Sequence, residues 1–193
     1  LQGRADGLLG ALASSFPEER ASAVAVAVGP GGELFVSLQK GTIDATEWVG
    51  PYNDLAFGLY KAAKYYYYPG FHEPGTTLEA MINKAALNSL PEDLRSIVMN
   101  ACKVVNLDLL SEYTARNPVA LETLIKKHKV DLRRYPDDVI KELYRLAQEV
   151  LSELAGRDAF SKKVYGSYAK FFKQARSWSD ISELAYLKAR EQG

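Results

Sequence analysis

Glu47 and Glu73 are the residues around which a chemistry can be built. Each follows a predicted strand, and together they bracket an aromatic-rich segment. Loops at strand ends along one edge of an α/β sheet are where such sheets build binding sites. Three chemistries suit the pair. They can act as a general acid and base or as a glycosidase pair, if their separation and environments differ suitably. With His72 they can hold zinc, although His72 and Glu73 are adjacent and point apart in an extended segment. With backbone oxygens they can hold a hard cation, which needs neither cysteine nor histidine. The plain alternative is two solvated surface carboxylates, and spacing alone does not choose.

Between these acids the chain concentrates its rings: nine of 21 aromatic residues fall from Trp48 to Phe71, including Tyr65, Tyr66, Tyr67 and Tyr68 in a row. In a strand, alternate tyrosines face opposite sides, so both faces of a sheet receive aromatic bulk. Two readings share this feature, a packed core with its hydroxyls satisfied and the wall of a small-molecule pocket. A stacking platform for single-stranded nucleic acid needs interleaved cations, and only Lys61 and Lys64 are near.

The elements that must position these residues are an α/β front and a helical back. Residues 21–28 alternate alanine, serine and valine and run into Gly29-Pro30-Gly31-Gly32, as a buried strand leaving into a loop does. A short helix over 33–40 ending at Gly41, a strand over 42–48, a helix over 51–64 with Leu55 and Leu59 inward, and strands over 65–68 and 78–82 follow. Ser89 and Glu92 carry a capping-box pattern that opens a long helix through Leu94, Ile97, Val98, Ala101, Val104, Val105 and Leu109. Asn117-Pro118 is expected to interrupt it. Residues 130–134 read as a last strand. From Pro136, the face of Ile140, Leu143, Tyr144, Ala147, Val150, Leu151 and Leu154 continues past Gly156 to Phe172 as one very long helix. Cap chemistry at residues 177–180 then opens a final helix to Arg190.

Composition limits the partners. The 193 residues carry 24 basic and 24 acidic side chains. Residues 1–90 are net −3 and residues 91–193 net +3, so neither part has the field that a polyanionic nucleic acid or membrane surface requires. The single cysteine, Cys102, rules out an internal disulfide or a cysteine-based zinc cluster and reads as a small core residue. No apolar run approaches the roughly 18 residues of a membrane span, and no secretory signal pattern opens the chain.

Three motifs in fixed order carry a resemblance: Gly31-Gly-Glu-Leu-Phe35; Leu38-x-x-Gly41-x-Ile-Asp-Ala-Thr-Glu-Trp-Val-Gly-Pro-Tyr52; and Lys64-Tyr-Tyr-Tyr-Tyr-Pro-Gly70-x-x-Glu73. From residue 29 to about 190 the chain resembles the extracytoplasmic solute-binding proteins of tripartite ATP-independent periplasmic (TRAP) transporters, of the dicarboxylate and keto-acid type. The resemblance implies a non-enzymatic periplasmic receptor that closes on a small organic acid and delivers it to membrane permease subunits. It implies one α/β lobe of a two-lobed periplasmic-binding-protein-like fold, with a mixed sheet, flanking helices and long C-terminal helices. Residues 1–90 would be an incomplete lobe bearing the ligand motifs, and residues 91–193 a helical part with a helix that normally spans both lobes.

By the same resemblance Glu47, the backbone oxygen of Trp48 and Glu73 hold a sodium or calcium ion. Trp48, Phe71 and Glu73 bind substrate, and His72 takes no ligand role. The arginine that such receptors place before the tryptophan has no matching motif in residues 4–28; Arg4 and Arg20 are the basic residues there, and neither is taken as the anchor. The chain, beginning at Leu1, is expected to be about half of a longer receptor. Two other function classes stay open: an interaction module whose helices from Pro91 onward form a homodimer, and a hydrolase using Glu47 and Glu73.

Overall fold

The computed structural model describes residues 31–71 and 80–192. The expected strand at 21–28, the start of the one at 78–82, and Arg4, Arg20, His72 and Glu73 lie outside the described residues. The described chain falls into two compact units, one ending at Ile140 and one starting at Lys141.

In the first unit, helix α1 (Gly31–Lys40) has Glu33 in its first turn and Lys40 in its last, matching the helix dipole. Leu34 and Leu38, four residues apart, share one face and are buried with Ile43, and Trp48, Phe57, Leu59 and Ala62 pack against them. Helix α2 (Pro51–Phe57) starts with proline at its first position and ends where Gly58 adopts φ 77 and ψ 21, its N–H donating to Asp54 O and Leu55 O. The helix expected over 51–64 is thus cut short by that left-handed residue, and a 3-10 turn (Leu59–Lys61) follows. The expected strand over 42–48 is a loop with a single bridging position at Ala45. Its Asp44 and Glu47 are poor strand formers, and only Ile43 in it is buried.

Strand β1 (Tyr65–Tyr68) pairs in parallel with β2 (Asp131–Arg134), Tyr65 facing Asp131 and Tyr68 facing Arg134. Between them run α3 (Lys84–Ser89) and α4 (Glu92–Lys126), a crossover of the kind parallel strands require. Residues 80–83 are irregular, correcting the strand expected there. Asn83 caps α3 by accepting from Ala86 N–H at 3.1 Å.

Two boundary signals misled the sequence reading. Ser89 closes α3 instead of opening α4, its hydroxyl donating to Ala86 O at 2.8 Å, and α4 starts after Pro91 with no side-chain cap. Pro118 lies inside α4, which runs unbroken for 35 residues, roughly 50 Å at 1.5 Å per residue. Neighbouring backbone is engaged by side chains: Thr114 Oγ1 donates to Leu110 O at 2.7 Å.

Helix α5 (Asp137–Gly156) carries the buried line Val139, Leu143 and Leu146. The face expected through Tyr144 is rotated by about one position, since Tyr144 is 52% exposed. The second unit continues with α6 (Ala159–Ile181) and α7 (Glu183–Arg190), which pack on each other. The single helix expected across Gly156 is two, because Asp158 accepts from Ser161 N–H at 2.8 Å and caps a new one. Residues 177–180, expected to open the final helix, are instead the last turn of α6.

Candidate functional site

Ile43 and Trp48 anchor the loop between α1 and α2 from its two ends. Ile43 is buried, and the Trp48 indole stacks on Phe57 at 5.2 Å and 19° while packing against the Leu34, Leu38 and Ile43 cluster. Glu47, held between these anchors, is exposed. The Thr46 hydroxyl donates to the Glu47 carbonyl at 3.2 Å. The loop therefore fixes Ile43 and Trp48 inward and leaves the Glu47 carboxylate exposed, as it does Asp44.

Behind the loop lies a residue that the sequence reading did not single out. Asp54, 5% exposed, is the buried charged side chain among the described residues. Its Oδ1 accepts from Gly50 N–H at 3.4 Å and its Oδ2 accepts from the Tyr66 hydroxyl. Burial pushes the Asp54 carboxyl above the ordinary aspartate range, and the hydrogen bonds from Tyr66, Gly50 and Val49 oppose that rise. Tyr66 is held well above the usual phenol range, first by burial, then by the Asp54 charge and hydrogen bond, then by the charge of Glu47. Its hydroxyl is therefore a donor, and Glu47 lies close enough to be felt there. The available signal was the Gly-Pro start of α2, which places Asp54 in its first turn, where an acid is favoured whether buried or not.

A second tertiary contact holds the same stretch. Asn117 Oδ1, from α4, accepts from Tyr52 N–H at 3.0 Å, satisfying a donor that the first turn of a helix leaves without an internal partner. Tyr52 meets Tyr113 edge-on at 6.0 Å, and the Arg116 guanidinium lies over its ring at 5.2 Å. Asn117-Pro118, which reads as a helix breaker, thus sits at the docking point of α2 on α4.

The tyrosine run divides by face and by partner. Tyr66 goes to Asp54, Tyr67 stacks on Tyr135 at 5.0 Å, and Tyr65 lies under Arg133 at 4.0 Å. Arg133 also ion-pairs with Asp131 at 2.7 Å. Phe71, a little beyond β1, is half-buried. Of the expected ligand set, Glu47, Trp48 and Phe71 are described. Among the described residues no group of three or more His, Cys, Asp or Glu is gathered closely enough to hold a metal. An exposed carboxylate beside backbone oxygens is a donor set suited to a hard cation, and it needs further oxygens to be complete.

Residues 15–158 match the family described as bacterial extracellular solute-binding protein, family 7. The match begins inside the segment 4–28, where the motif resemblance lapses. The chain is 40% identical over 163 residues to a monocarboxylate 2-oxoacid-binding periplasmic protein of Nostoc sp., covering 84% of this chain and 44% of that protein. It is 36% identical, with TM-score 0.79, to a TRAP periplasmic solute-binding protein of Colwellia psychrerythraea solved with bound calcium and pyruvate, covering 95% of this chain and 54% of that one. The corresponding protein of Pseudoalteromonas atlantica, solved with bound sodium and pyruvate, is 35% identical with TM-score 0.79, over 94% of this chain and 53% of that one. The chain spans about half the length of these relatives. Among the described residues no helix is long and apolar enough to cross a membrane.

Proposed function

The chain belongs to the bacterial extracellular solute-binding proteins of family 7, and from that premise we propose that it serves a TRAP transporter as a periplasmic receptor for a small carboxylate, a 2-oxoacid such as pyruvate above all. The observation that carries the reading is the Glu47-Trp48 loop, an outward carboxylate between two inward apolar anchors, in a chain whose similar relatives hold pyruvate with calcium or sodium.

Glu47, the Trp48 backbone oxygen and Glu73 would hold the ion, and Trp48, Phe71 and Glu73 would meet the substrate. Two carboxylates about 4 Å apart repel by about 4 kcal/mol at the effective dielectric of a protein surface. A substrate carboxylate entering beside Glu47 and Glu73 therefore needs positive charge between them, and the bound cation supplies it. The chain's own part is to keep Glu47 outward and Trp48 fixed. No covalent step is needed for capture, so the reading is a receptor and not a catalyst. Its partners are the acid and the membrane permease subunits to which the acid passes. Calorimetric titration of pyruvate with calcium or sodium present tests it.

A second reading, association with another copy through the helical part, is favoured by exposed Phe160, Phe171, Trp178 and Ile181 on α6. Light scattering across a concentration series separates it from a monomer.

A further inference from the structure

We propose that Asp54 is a positioning residue of the ligand and cation site, pinning the backbone that leaves Glu47 and Trp48 and tying it to the strand that leads to Phe71. The proposal rests on the receptor reading above. A carboxylate at 5% exposure is costly unless it is hydrogen-bonded, and an apolar side chain at the same place on α2 would pack without that cost. What the acid holds accounts for it.

Gly50, one of its backbone donors, sits at φ 153 and ψ 176, a conformation open essentially to glycine alone. Such a residue keeps its geometry only where its surroundings over-determine it. Asp54 Oδ1 takes its N–H, Pro51 has no N–H, and Asn117 Oδ1 takes the N–H of Tyr52. Each backbone donor from Gly50 to Tyr52 thus goes to a side chain of α2 or α4. The exposed Glu47 stands three residues before this pinned stretch. Its side-chain donor, the Tyr66 hydroxyl, belongs to β1, whose last residue Tyr68 is three before Phe71. A helix cap alone would need only Gly50. By also accepting from Tyr66, Asp54 joins the Glu47-Trp48 loop to the segment carrying Phe71, and Glu47 is felt electrostatically at the same hydroxyl.

The test compares Asp54→Ala, Asp54→Asn and Tyr66→Phe in the protein carrying this chain, with Trp178→Phe making Trp48 the reporting indole of the chain. Three quantities are read: hydrogen exchange at Gly50, Tyr52 and the amides of α4; Trp48 emission; and pyruvate affinity with calcium. Asp54→Ala is expected to speed Gly50 exchange and weaken pyruvate by about tenfold or more each, as loss of a charged acceptor does. It should also shift Trp48 emission while leaving α4 protected. Asp54→Asn, which keeps an acceptor for Gly50, should restore Gly50 protection and bring affinity to within about threefold of the parent. Tyr66→Phe should weaken pyruvate with Gly50 still protected. Unchanged Gly50 exchange and affinity in Asp54→Ala overturns the proposal. If Asp54→Ala does not fold, parental affinity and emission in both other variants overturn it. If the parent itself binds no carboxylate with either ion, the receptor reading fails, while Gly50 exchange and Trp48 emission still decide the pin.

Discussion

Glu47→Gln keeps the size of the side chain and the anchored loop and removes the charge that the ion would meet. It is expected to weaken calcium-dependent pyruvate binding by about tenfold or more, since one unit charge beside a cation is worth several kcal/mol at a protein surface. Titration calorimetry reads this directly, and the melting temperature should stay at the parental value because Glu47 is exposed. Asp54 behaves differently with pH. Its folded carboxyl is raised above the ordinary 3.8 by burial, so its contribution to stability is fully present below that value and is lost as pH rises through the raised one. Asp54→Asn should therefore gain stability relative to the parent as pH rises through that window, which denaturant melts at several pH values would register. Glu47 and Trp48 were recognisable as candidates in the sequence because a long motif fixes their order and spacing. Asp54 was not, because a first-turn aspartate looks the same whether its carboxylate meets water or a buried tyrosine from a strand twelve residues on.

Local chemistry decided where elements stop, and the sequence carried it unevenly. Gly58 is the clearest terminator: at φ 77 it reverses the chain between α2 and the 3-10 turn. Gly58→Ala has room for its Cβ, the Lys61 side chain lying 3.8 Å away, so its cost is backbone strain, about 1–2 kcal/mol measured by denaturant unfolding. Asp158 is the clearest starter. Hydrogen bonds from the Ser161 amide and hydroxyl hold its carboxyl below the ordinary range, so the cap is complete at neutral pH and is lost as pH falls through that lowered value. Asp158→Ala should speed exchange at the Ser161 amide at neutral pH, and the difference from the parent should vanish in acid.

Several boundaries were not legible for the same physical reason. Ser89, Asp158 and the 177–180 segment all have cap chemistry, and which one acts depends on which backbone donors tertiary packing leaves free. Pro118 gives the strongest breaker signal and does not break α4, because docking of α2 through Asn117 and Tyr52 holds the helix there. The register of β1 on β2 follows from no local signal, since the partner lies beyond α4.

At the scale of the whole molecule, balanced charge argues against a general electrostatic partner, and the proposed recognition rests on a few oxygens and an ion. The mostly helical α/β fold and the family were legible because the motifs are long and ordered. The apolar side chains of α4 at Ile97, Val104 and Leu107 are exposed, although their spacing is that of a buried face; a periodic stripe reports that a face is apolar and leaves open what covers it. Similar relatives are about twice as long as this chain. The central claim, capture of a small carboxylate with a cation, is tested most directly by titrating pyruvate into the protein carrying this chain, with calcium, with sodium, and after chelation with sodium replaced. The account predicts saturable heat that requires one of the two ions. Absence of heat with pyruvate and with a panel of 2-oxo, 2-hydroxy and dicarboxylic acids, in both ions, would contradict it.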